Sequence, residues 1–205
     1  MKRKNNLIEQ LKNLPHFTKS TVRQLGAGLG LKDATISVYI SRFLRSREIY
    51  RLKNGLYVSA SFFDRNKGDV SYSFYLANIL RKPSYVSSWA ALQYYNLTTE
   101  AIYSITSVTQ KVTRDYQTKA GNFSYQSINE GLFSDFVHVK RKFDFFVASP
   151  SKALFDLLYF RTNEFKSVSI QNIKTFIEGL RIDIEEMDKE EQAKFYSLIK
   201  KYLHE

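Results

Sequence analysis

The sequence predicts an α+β protein: an N-terminal winged helix-turn-helix followed by a larger domain of mixed helices and antiparallel strands. Three observations carry this expectation. The first sixty residues read helix, helix, turn, helix, hairpin, which is the order and length of a winged helix. The basic charge is concentrated in the same sixty residues. From residue 101 to 147 the pattern becomes short segments of period two, rich in β-branched and aromatic residues, before helical spacing returns.

Each N-terminal element has its own signal. Leu7, Ile8, Leu11 and Leu14 form one helical stripe within residues 5–14, and Pro15 stops it. Residues 18–25 make a short helix with Val22 and Leu25 inward, closed by Gly26. After the turn at LGLK, Asp33 is placed to cap a helix through Ser46. Residues 49–52 and 56–59 read as strands joined by Lys53-Asn54-Gly55, and Asn-Gly is a strong hairpin signal. These elements delimit a first domain over residues 1–61.

The polar stretch FFDRNKGDVS, residues 62–71, reads as a linker, which leaves residues 72–205 as the second domain. There, 72–80 and 87–97 have helical spacing, and AIYSITSVT, GNFSYQSI, DFVHVKR and FDFFVA have strand character. The Ser-Pro start at Ser149 opens a helix to residue 160, and 170–180 and 189–203 complete the chain as helices.

Composition narrows the function classes. The chain has 205 residues and no cysteine, so disulfides, thiolate metal sites and thiol nucleophiles are excluded, and a reducing, cytoplasmic compartment is expected. No apolar run approaches the roughly 18 residues that span a bilayer, so no membrane association is expected. The net charge of +11 is unevenly placed: residues 1–60 carry twelve Lys/Arg against three acids, whereas residues 61–205 carry nineteen against seventeen. A basic module attached to a nearly neutral remainder predicts a nucleic-acid partner, and the winged helix-turn-helix pattern makes double-stranded DNA the expected one.

The chemistry of that partner falls on the third helix. At roughly 100° per residue, Ile36, Ile40, Phe43 and Leu44 share one face, and Thr35, Val38, Ser41, Arg42 and Arg45 occupy the opposite arc. Arginine bridges guanine O6 and N7, hydroxyls take base edges or phosphates, and valine suits a thymine methyl; an ordinary solvated face is the competing reading. Tyr39 sits at the boundary between the two faces. Arg47, Arg51, Lys53 and Asn54 are the hairpin's candidates for phosphate or minor-groove contact, and Lys32 is a phosphate candidate ahead of the helix. Lys2, Arg3 and Lys4 fit either an incidental basic start or backbone contact.

Catalytic signals are weak. His16, His138 and His204 lack ligand spacing, and no Walker, zincin, GxSxG or dinucleotide fingerprint occurs. Asp144 or Asp156 with Glu164-Phe165-Lys166 is a metal-nuclease fragment of low specificity. HVKRKF, residues 138–143, fits a second nucleic-acid patch or the wet face of a sheet. Trp89, Tyr94 and Tyr95 fit a ligand pocket or core. A non-enzymatic protein without a cofactor is therefore expected, and a DNA-processing enzyme is the distant alternative.

Four segments in order give a resemblance. NGLYV (54–58), SYVSSWAALQYYNLT (84–98), YSITSVTQKVTR (103–114) and ASPSKALFDLLY (148–159) together resemble the AbiEi family, over roughly residues 18–160. These are bacterial antitoxins and transcriptional regulators of abortive-infection toxin-antitoxin pairs. The resemblance implies a winged helix that represses its own operon at inverted repeats. It also implies a C-terminal domain that counteracts a nucleotidyltransferase-like toxin in a type IV arrangement, which needs no stable complex. Carried over, the DNA-facing positions are Thr35, Ser37, Ser41, Arg42, Arg45, Arg51, Lys53 and Asn54. A winged-helix regulator without a toxin partner is the alternative reading.

Overall fold

The computed structural model describes residues 2–166 and 169–203. His204 and the side chain of Lys2, both singled out above, lie outside the described residues. The chain is α+β. It begins with α1 (Lys2–Leu11), β1 (Phe17–Thr18), α2 (Lys19–Gly28), α3 (Asp33–Arg45), β2 (Ile49–Lys53) and β3 (Leu56–Ser59). Leu7, Ile8 and Leu11 of α1, Val22 of α2, and Ile36, Ile40 and Phe43 of α3 are buried together in one cluster.

Two helix boundaries differ from expectation. Gly26 does not end α2: it is buried inside the helix, where a Cβ would stand 2.7 Å from Ile36 Cδ1. The glycine therefore serves close approach between α2 and α3. Asp33 is the first residue of α3, not its cap; Lys32 holds the cap position without a side-chain bond, and Asp33 Oδ2 instead pairs with Arg23 Nε at 3.2 Å. By contrast, α2 starts on a reciprocal capping box between Thr18 and Thr21.

The first sheet has strand order β1-β3-β2, all antiparallel. All four residues of β3 are buried. Tyr57 faces the helices and stacks on Phe17, whereas Leu56 and Val58 belong to the larger core formed by the rest of the chain.

Residues 62–71 are not a linker. Ser59 caps α4 (Ala60–Asn66), and Asp69, accepting from the Ser71 amide, caps α5 (Val70–Leu80). The aromatic pair hidden in that polar stretch explains the correction, because Phe62 and Phe63 pack on the larger core, with the Phe62 ring 5.5 Å from that of Tyr72. At the same junction His16 Nδ1 lies 2.6 Å from the Tyr75 hydroxyl, and burial, aided by the Lys82 charge, lowers the His16 pKa below its ordinary value.

The second sheet has six strands in the order β6-β7-β5-β4-β9-β8. They are β4 (Ser84–Val86), β5 (Ile105–Thr109), β6 (Arg114–Thr118), β7 (Gly121–Ser127), β8 (Phe136–Val139) and β9 (Phe145–Ala148). The expected antiparallel arrangement is in fact mixed, since β5 pairs β7 and β4 pairs β9 in parallel. The helices are α6 (Ser88–Tyr94), α7 (Pro150–Arg161), α8 (Ile170–Gly179) and α9 (Lys189–Leu203). Trp89, Tyr94 and Tyr95 are half-buried against this core, and the Arg161 guanidinium covers the Trp89 ring at 5.5 Å. Among the described residues no helix is long and apolar enough to cross a membrane.

An ion pair sits inside the larger core. Lys152 Nζ and Asp156 Oδ1, one turn apart on α7, are 2.6 Å apart and almost wholly buried. The other carboxylate oxygen accepts from Ser87 Oγ at 2.6 Å and from the Tyr85 hydroxyl at 3.1 Å. Burial raises the Asp156 pKa, against the opposing pull of Lys152 and the two hydroxyls. Replacing Lys152 alone with Met strands the carboxylate and is expected to destabilise the fold by about 3–5 kcal/mol. The double variant Lys152→Met/Asp156→Asn keeps the hydroxyl bonds and should recover most of that loss. Denaturant unfolding of both variants measures the difference; equal losses would contradict it.

Candidate nucleic-acid interface

The apolar stripe of α3 fixes which side of the helix meets water. With Ile36, Ile40 and Phe43 buried and Leu44 packed beside them, Ser37, Val38, Ser41, Arg42 and Arg45 are exposed. Thr35 and Tyr39 are half-buried at the two margins, and Tyr39 lies against Phe43 with ring centroids 6.3 Å apart. Val38 is 46% exposed, an apolar side chain held out between hydroxyls and guanidiniums. Among the described residues, no carboxylate lies within ion-pair distance of Arg42, Arg45, Arg47, Arg51 or Lys32. The face is thus both positive and free to engage an anion.

The end of α3 holds a further device. Ser46 Oγ donates to the carbonyl of Arg42, and the amide of Glu48 reaches back to the carbonyl of Phe43. This closure needs a left-handed residue, a position normally given to glycine, and here it is Arg47 with φ 59°. An arginine in that conformation costs about 1–2 kcal/mol of backbone energy, offset by the local bonds and by the charge it presents.

The hairpin behaves differently from expectation. Asn54 and Arg51 are exposed, but Lys53 is half-buried and its ammonium donates to the carbonyl of Leu80 at the end of α5, 2.6 Å away. Lys53 is therefore a tie between the hairpin and the second half of the chain, not a free phosphate ligand. The turn itself is held back, because the Gly55 carbonyl accepts from the Lys19 amide at 3.1 Å. Gly55, at φ 77°, takes the left-handed conformation that an Asn-Gly turn requires.

A groove of about 710 Å³ opens beside α3, between β2 and the β6–β7 turn. Arg47, Tyr50 and Arg51 form one wall, and Gln117, Thr118 and Lys119 the other, with no carboxylate in the lining. Sequence reasoning missed Gln117 and Lys119. They sit in a polar hairpin far along the chain, and only the packing of β6 against β2 brings them to the basic face.

The nuclease candidates stay apart from this face. Asp156 is committed to the buried pair, Glu164 is exposed beyond α7, and Asp144 lies on the surface beside His138, 3.6 Å from its Nε2. Among the described residues, no three His, Asp or Glu gather as metal ligands. In the 138–143 stretch Lys140, Arg141 and Lys142 are all exposed, and the Lys142 ammonium also donates to Asn66 Oδ1 at 2.7 Å.

Two outcomes are expected from these geometries. Lys53→Met should lower stability by about 1–2 kcal/mol through the lost charge-assisted bond. It should leave the salt dependence of duplex binding unchanged, which unfolding and salt-titrated binding read separately. Arg47→Gly should leave stability unchanged or raise it by up to about 1 kcal/mol while weakening duplex binding. A destabilised glycine variant would show that the backbone conformation at residue 47 carries no strain. Compared with known proteins, the chain matches no family model and no curated protein.

Proposed function

We propose that this chain is a non-enzymatic, sequence-specific DNA-binding regulator whose residues 1–61 act as a winged helix-turn-helix. The observation that carries the reading is the outward face of α3, where Arg42 and Arg45 project with Ser37, Val38 and Ser41 and, among the described residues, no carboxylate pairs with either arginine. In this reading α3 lies in the major groove, its arginines on base edges. Lys32, Arg47, Arg51 and Asn54 line the backbone on either side, and Lys119 extends the positive surface from the second half of the chain. Such an arrangement separates tasks: phosphates give affinity and register, while α3 gives discrimination.

The ordered segments that resemble the AbiEi family extend the proposal. The regulator would act at the promoter of its own operon and serve as the antitoxin of a nucleotidyltransferase-like toxin, without a stable complex. No cofactor takes part in this reading.

The test is binding of the full chain to the duplex upstream of its own reading frame and to a scrambled duplex of the same length. Arg42→Ala and Arg45→Ala should each weaken cognate binding by about 1–3 kcal/mol and narrow the gap between the two duplexes. Thermal stability should change by no more than about 0.5 kcal/mol, as both side chains are exposed. Undiminished binding by the double variant would overturn the assignment of α3 as the reading helix.

A further inference from the structure

A second cleft, of different character, lies where the large sheet ends. Between the β8–β9 edge and the end of α5 there is a space of about 500 Å³ walled by Phe133, Phe136, Phe146 and Pro83. Its walls are fixed by the core beneath them. Phe136 stacks on the buried Tyr85 at 4.7 Å, Phe133 packs against both rings, and Phe146 meets Phe136 edge-on at 5.9 Å. Phe146 nevertheless remains 39% exposed, an aromatic surface left to water at a measurable free-energy cost.

The polar lining is sparse and unequal. Asn78 is engaged at both ends of its amide, donating to the Ser84 carbonyl and accepting from the Phe146 amide at 2.6 Å. The Ser84 hydroxyl, in contrast, is buried with no hydrogen-bond partner among the described residues, in a residue only 8% exposed. Native structures rarely leave a buried hydroxyl unsatisfied, and those that do merit an explanation. Lys82 is the one charged lining residue, it is exposed, and no carboxylate pairs with it among the described residues.

We propose that this cleft binds a small aromatic monocarboxylate, with its rings among Phe133, Phe136 and Phe146 and its carboxylate at the Lys82 ammonium. The volume lies in the range of small-molecule sites, which pair an apolar lining with a few placed polar groups. Three rings set the aromatic body, because edge-on and stacked contacts reward a flat partner. A single uncompensated cation sets the sign and number of the charge. The site is distinct from the α3 face, and its existence does not depend on DNA binding.

The test uses the full chain with two probes of the same ring system, 2-naphthoate and the neutral 2-naphthylmethanol, in calorimetric titrations. Saturable one-to-one binding of 2-naphthoate is expected, with ligand-to-protein NOEs to the Phe136 ring. Lys82→Gln, an exposed change, should weaken 2-naphthoate about three- to fivefold and leave 2-naphthylmethanol unaffected, in keeping with a partly exposed ion pair. Phe146→Asp should abolish binding of 2-naphthoate, and its melting curve checks that the fold persists. If Phe146→Asp does not fold, the Lys82→Gln comparison and the NOEs still decide. Absence of saturation in the millimolar range, or equal loss of both probes in Lys82→Gln, would overturn the proposal. So would ultracentrifugation showing a dimer that Phe146→Asp dissolves, which would give the cleft to a second copy of the chain.

Discussion

The structure depends on one short strand that has no solvent-facing side. In β3, Tyr57 closes the core of the three N-terminal helices, and Leu56 and Val58, pointing the other way, enter the core of the six-stranded sheet. A hairpin strand in a free wing would alternate between apolar and wet positions. Here both sets of side chains are removed from water, each contributing about 25 cal/mol per Å² of apolar surface, so the strand's register is fixed from two sides. The position of α3 relative to everything that follows is set through this wall. Ile36, Ile40 and Phe43 lock α3 to the hairpin, and the hairpin's other face locks to α5 and the sheet. The Lys53–Leu80 bond reinforces the same joint, as does the Arg65 guanidinium, which donates to the Lys12 carbonyl from α4.

That joint explains why the basic surface is larger than the charge division along the chain suggests. Residues 61–205 are nearly neutral in total, yet the β6–β7 turn sets Lys119 beside Arg47 and Arg51. A net charge describes a segment, whereas an interface is made of the side chains that tertiary packing aligns. Arg47, left-handed at the end of α3, belongs to the same surface.

Much of the N-terminal region was legible because its signals are local. The 3.6-residue spacing of Ile36, Ile40 and Phe43 marks the buried face of α3, so the exposed set follows by subtraction, and Asn54-Gly55 marks the hairpin. What escaped is non-local. Phe62 and Phe63 look like interruptions in a polar stretch until Tyr72 and Phe143 are beside them. The parallel pairings of β5 with β7 and β4 with β9 require crossings that no period-two pattern encodes. β4 is three residues long, and β6, Arg-Asp-Tyr-Gln-Thr, is a polar edge strand that carries almost no apolar alternation. Lys53 reads as a wing cation from its neighbours in sequence, and only the Leu80 carbonyl shows it to be an anchor. Asp156 is similar: its place inside a helix gave no hint of a charge shared with Lys152, Ser87 and Tyr85.

The doubly buried strand also governs how the molecule comes apart. Separating the two cores would uncover Leu52, Leu56 and Val58 along one side of the hairpin, an apolar strip with no polar cover of its own. Neither half can shed the other without exposing it, which opposes unfolding of the helices independently of the sheet. The charged helix and the larger core thus share the hairpin's two faces, and the Lys53–Leu80 and Arg65–Lys12 bonds cross the same joint.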